Sequence, residues 1–118
     1  MKTENWTGNV PAVIANGASL SDVIDIGGAL EIGFQMPASW TAANLTFQGS
    51  DASDGTYNDV YDDAGNEVVV TAAQARAIVV GTTTKNLTAF RFIKIRSGTT
   101  ALPVVQGAER VIQVVLKG

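Results

Sequence analysis

Apolar residues recur along this chain with a spacing of two, and that period admits few folds. Leu30, Ile32, Phe34 and Met36 share one parity, with Glu31, Gly33 and Gln35 between them. Leu45 and Phe47 alternate with Thr46 and Gln48; Ile112, Val114 and Leu116 alternate with Val111, Gln113, Val115 and Lys117. Successive side chains of a strand point to opposite faces, so each run is a strand that buries one face. Between the runs stand Asn16-Gly17, Gly27-Gly28, Asp54-Gly55, Ala64-Gly65-Asn66, Gly81 and Ser97-Gly98. Such residues tolerate positive φ or bond their own backbone, and they mark turns. Strands are predicted at roughly 10–14, 20–26, 29–36, 44–49, 57–61, 66–70, 75–80, 88–96 and 109–117. Short helical turns are expected around 39–43 and 71–75, the second capped by Thr71. Eight or nine short strands of this kind imply an all-β chain folded as an antiparallel sandwich or barrel.

A length of 118 residues suits one modest core, and 46% hydrophobic against 16% charged residues is a globular balance. Residues 1–10 show no alternation of their own and are expected to form an N-terminal arm ahead of a sandwich domain at 11–118. The chain has no cysteine and no histidine. It therefore has no disulfide framework, no thiolate chemistry, and neither the usual general base nor the commonest zinc ligand. A net charge of −3 argues against nucleic acid as a partner. No apolar run approaches the ~20 residues that span a bilayer. The opening Met-Lys-Thr-Glu-Asn-Trp leads into no signal-peptide core, so synthesis and assembly in a cytoplasm are expected.

Six of the eleven acidic residues, Asp51, Asp54, Asp59, Asp62, Asp63 and Glu67, crowd one stretch. Calcium recruits carboxylates from loops, but an EF-hand requires acids at alternate positions, and Asp51-Ala-Ser-Asp-Gly has other intervals. Asp54-Gly55 and Asp62-Asp63-Ala-Gly65-Asn66 are instead turn sequences, in which short acidic side chains bond the local backbone. Solvated turns are expected there, with no metal site. No serine or threonine has a histidine to activate it, and no pair of carboxylates can be singled out for catalysis. No catalytic residue and no cofactor is assigned.

In Phe90-Arg91-Phe92-Ile93-Lys94-Ile95-Arg96 the odd positions 93 and 95 suit the core, which leaves Phe92, Lys94 and Arg96 on the outer face. Aromatics beside cations can hold single-stranded nucleic acid or sugars. Equally, outer cations of a strand pair with carboxylates on a neighbour. Trp40 falls in a loop after an apolar strand and is expected to plug one end of the sandwich. Trp6, on the arm, is either folded back on its own domain or exposed as an anchor for a partner.

The order Val23-Ile-Asp-Ile-Gly27, then the strand at 30–36, Leu45-Thr-Phe-Gln-Gly-Ser50, an Asp-Gly turn and Phe90-Arg-Phe-Ile-Lys-Ile95 resembles the discoidin-like (galactose-binding-like) domains. That resemblance implies a jelly-roll sandwich and says little about function. The segments Met36-Pro-Ala-Ser-Trp-Thr-Ala-Ala-Asn-Leu-Thr-Phe-Gln, Phe92-Ile-Lys-Ile-Arg-Ser-Gly-Thr and Pro103-Val-Val-Gln-Gly-Ala-Glu-Arg resemble small proteins encoded among the structural genes of tailed phages. This second resemblance implies a non-enzymatic protein of the virion, with capsid decoration the first expectation. Its partners would then be the major capsid protein or other virion subunits, engaged by many copies or by a homo-oligomer on one particle. The alternative is a carbohydrate-binding or adaptor module of a tail or fibre. Trp6, Trp40, Tyr57 and Tyr61 are the candidate partner-binding residues, the last three for a glycan.

Overall fold

A computed structural model describes residues 7–80 and 87–118. Eight strands order as β1 (Thr7–Ile14), β2 (Ile24–Asp25), β3 (Glu31–Gln35), β4 (Leu45–Ser50), β5 (Asn58–Asp59), β6 (Ala77–Val79), β7 (Phe92–Ser97) and β8 (Arg110–Lys117). They form two four-stranded sheets, β1-β8-β3-β6 and β2-β7-β4-β5, and every pairing is antiparallel. Successive strands change sheet at every step except β4 to β5. This is jelly-roll connectivity, a double sheet of eight strands.

Alternation decides which face is buried. From the first sheet Ile14, Ile32, Phe34, Ile112, Val114 and Leu116 point inward, and from the second Ile24, Leu45, Phe47, Ile93 and Ile95. Phe34 and Phe47 join the two sheets, their rings stacked with centroids 5.9 Å apart and planes 18° apart. The alternation expected for β3 and β8 holds within Glu31–Gln35 and Arg110–Lys117. Leu30, expected to share the buried parity, is instead 74% exposed just before β3. In β7, Ile93 and Ile95 are buried as expected, while Arg96 is buried too.

Some boundaries differ from the sequence expectation. β1 begins at Thr7, so residues 7–10 are not an arm: they pair with β8 in a register from Thr7↔Lys117 to Ile14↔Arg110. Thr-Gly-Asn has no apolar period, and the edge of β8 supplies its hydrogen bonds instead. Pro11 is tolerated because β1 is an edge strand. Trp6 lies outside the described residues. Residues 66–70 are no continuous strand; they touch neighbours through the single bridges Tyr61↔Glu67 and Leu45↔Val70. Neither 39–43 nor 71–75 is helical. Ala75 stands at φ 57°, where it ends a turn rather than continuing a helix.

Candidate docking end

Four loops gather at the end of the sandwich where β1, β3 and β7 finish. Backbone hydrogen bonds tie them together: Ser97 N to Ser19 O at 2.7 Å, Gly98 N to Asn44 O at 2.7 Å, and Ala75 N to Pro37 O at 2.9 Å. Residues 15–20, 36–45, 70–75 and 97–108 at this end include no Asp, Glu, Lys or Arg, and Arg76, Glu109 and Arg110 stand at their margins. At its surface Leu102 is 76% exposed and Val105 56%, with Ala101 and Pro103 exposed beside them. Burying uncharged loops against a partner avoids the desolvation that ionic groups would impose, and charge is depleted at the centres of protein interfaces.

The apolar tip is held from beneath by Gln106, which is fully buried. Its Nε2 donates to Thr41 O at 3.0 Å and to Ser97 Oγ at 2.7 Å, while its Oε1 accepts from Thr41 N at 2.9 Å and Arg110 Nε at 3.2 Å. Its backbone accepts from Gly17 N at 2.9 Å and donates to Ala18 O at 3.0 Å. The side chain thus satisfies its whole amide and joins the 36–45 and 97–108 loops, while the backbone of the same residue ties in 15–20. Sequence reasoning passed over Gln106, since nothing local separates it from a surface glutamine. Gly98 turns the chain into this loop at φ 93°, and a Cβ there would lie 2.5 Å from Leu102 O. Gly98→Ala is therefore expected to cost about 1–3 kcal/mol, visible as a lower melting temperature. Unchanged melting would show that the turn relaxes freely.

Trp40 packs under the same end at 7% exposure, with Nε1 donating to Ala43 O at 3.1 Å. It is a plug, as expected, and its burial removes it as a surface anchor or sugar platform. Tyr57 precedes β5, whose Asn58 faces Gly49 at the far end of β4. Trp40 and Tyr57 accordingly sit at opposite ends of a strand, too far apart to form one platform. The Tyr57 hydroxyl donates to Ser53 O at 2.8 Å, and Lys94 Nζ lies 4.5 Å from its ring centroid. Tyr61 is 52% exposed on the Tyr61↔Glu67 bridge.

The acidic stretch divides. Asp62 builds a turn as expected: its Oδ1 accepts from Ala64 N at 3.0 Å and Asn66 N at 2.9 Å. Asp59 and Glu67 are not solvated turn formers, because both converge on Arg96, at 2.5 and 3.5 Å. Arg96 points outward from β7 yet its side chain is only 9% exposed. The expectation that outer cations pair with neighbouring carboxylates therefore describes Arg96, whereas Lys94 on the same face lies over the Tyr57 ring. Among the described residues no group of three or more His, Cys, Asp or Glu is placed to hold a metal ion. Asp62→Asn with Asp63→Asn is expected to leave the fold intact, since asparagine keeps the accepting oxygen. Excess calcium should leave the melting temperature where it was, because a ligand of the native state must raise it. A rise of several degrees, reversed by EDTA, would make this turn a metal site.

The Arg96 guanidinium holds the Asp59 carboxyl below its usual 3.8, aided by Gln48 and opposed by partial burial. Because the folded value is the lower one, the stabilisation from this pair is present above 3.8 and is lost as pH falls through the folded value. The melting difference between the parent and Asp59→Asn should be constant from neutral pH to about 5 and shrink below that. A difference that does not change with acid would mean the pair contributes nothing through charge.

Comparison with family models, curated proteins and solved structures finds no match to this chain.

Proposed function

We propose that this chain is a non-enzymatic structural protein of a tailed-phage virion, a decoration protein that docks on the outer capsid shell through the uncharged end of its jelly roll. One observation carries the reading: four loops free of charged residues meet at one end and present Leu102 and Val105 on a scaffold fixed by a buried glutamine. A preformed apolar surface loses little conformational freedom on binding. Many copies on one particle would also amplify a modest contact. The resemblance of the 36–48, 92–99 and 103–110 segments to phage structural proteins supports the choice of partner.

The test is the copy number in purified particles of the phage that encodes the chain, measured by quantitative mass spectrometry. On the order of hundreds of copies per particle, as repeated shell sites would hold, is the expected result. A few copies confined to tail or fibre fractions would favour the adaptor or glycan-binding role, and absence from particles would overturn the virion assignment.

A further inference from the structure

Arg96 is tied to more than its two carboxylates. Its Nη1 donates to Thr100 Oγ1 at 2.9 Å and to Thr46 Oγ1 at 3.3 Å, and Thr46 in turn donates to Gly98 O at 2.8 Å. Glu67 reaches the same place from the hairpin side. Its carboxylate accepts from Thr100 N at 3.2 and 3.3 Å and from Thr100 Oγ1 at 2.5 Å. Thr100 opens the turn that carries Leu102, where Thr99 N donates to Leu102 O at 3.1 Å and Leu102 N to Thr99 Oγ1 at 3.0 Å. Gln106 fixes the far arm of the loop. The near arm is held by Glu67 and Arg96, which lie on the outer face of the second sheet, just beyond the charge-free surface.

We propose that Glu67 and Arg96 form an ionic latch on the 98–105 loop, so that Glu67 is a positioning residue for the capsid-shell contact made through Leu102 and Val105. The inference rests on the reading of this end as a docking surface, but the latch itself is a property of the isolated chain. With the latch closed, the near arm is ordered before a partner arrives. With it open, that ordering must be supplied on binding. Hydrogen bonds to charged groups are the stronger ones, and their loss lets a segment open locally without unfolding the domain.

Amide hydrogen exchange tests the latch without a partner. In Glu67→Ala the amides of Thr100 and Leu102 should exchange about tenfold faster or more, while those of Ile112 and Val114 in the core keep their parent rates. Glu67→Gln retains the length and one accepting oxygen, so it should give a smaller acceleration at the same two amides. It also serves as the variant that stays folded if alanine leaves Arg96 too poorly compensated. Unchanged exchange at Thr100 and Leu102 in both variants would overturn the latch. So would equal acceleration at Ile112 and Val114, which would make Glu67 a general stability residue. Binding of the same variants to shells lacking the protein should weaken in proportion to the loop's acceleration. If the loop loosens while Leu102→Asp leaves shell binding untouched, the latch stands and the docking reading fails.

Discussion

Phe47→Ala is expected to remove about 3–5 kcal/mol of stability, a large part of the ~5–15 kcal/mol available to a domain of this size. Phe47 is fully buried, stacks on Phe34 of the opposite sheet and faces Ile95 across β7 in register. Its removal opens a cavity where the sheets meet, and a rigid sandwich closes such a space only in part. Thermal or urea melting reads the result directly, as a fall of about 10 °C or more. A melting temperature equal to the parent's would mean that β4 does not present this face to the core, and the strand register would have to be abandoned.

Gln106→Leu is the second large effect, and it acts on the proposed docking end. Leucine fills a similar volume but offers no polar atom, so Thr41 N, Thr41 O and Ser97 Oγ lose their partner together. Ser97 is fully buried, and a buried polar group left unpaired costs about 1–3 kcal/mol. The exposed Thr41 can bond water instead, so a loss of about 1–3 kcal/mol is expected. The melting temperature should fall, and amide exchange at Thr41 should rise more than at Val114. A variant as stable as the parent would show that the 36–45 and 97–108 loops are held together by packing rather than by this amide.

Much of the fold is legible in the sequence because its long strands are half-buried. Ile32 and Phe34, Leu45 and Phe47, Ile93 and Ile95, and Ile112 to Leu116 each mark a strand by period alone. β1 is legible only from Val10 onward. Its first residues carry no apolar pattern, and their strand is imposed by β8, about a hundred residues away in the chain. Residues 66–70 end in three β-branched valines, as a strand would, but form bridges to their neighbours only at single residues. The proposed docking end is half-legible. The lack of charge in each of its four segments is visible, but no local signal says that they meet, since jelly-roll crossovers bring them together. The acidic stretch conceals its ion pairs for the same reason. Arg96 and Glu67 are 29 residues apart, and the sequence of each fits an exposed position. Trp40 reads correctly as a plug, because a large apolar ring beside a strand end usually closes the core.

The most direct test of the account is binding of Leu102→Asp and Val105→Asp to phage shells that lack the protein, with the parent chain alongside. Both side chains are largely exposed in the free domain, so melting should stay within about 2 °C of the parent. A carboxylate forced into an apolar interface is unpaired, and affinity should drop by about a hundredfold or more, equivalent to ~2.7 kcal/mol or more. Weaker binding with unchanged melting is the predicted result. Binding at parental affinity by both variants would contradict the docking role of this end.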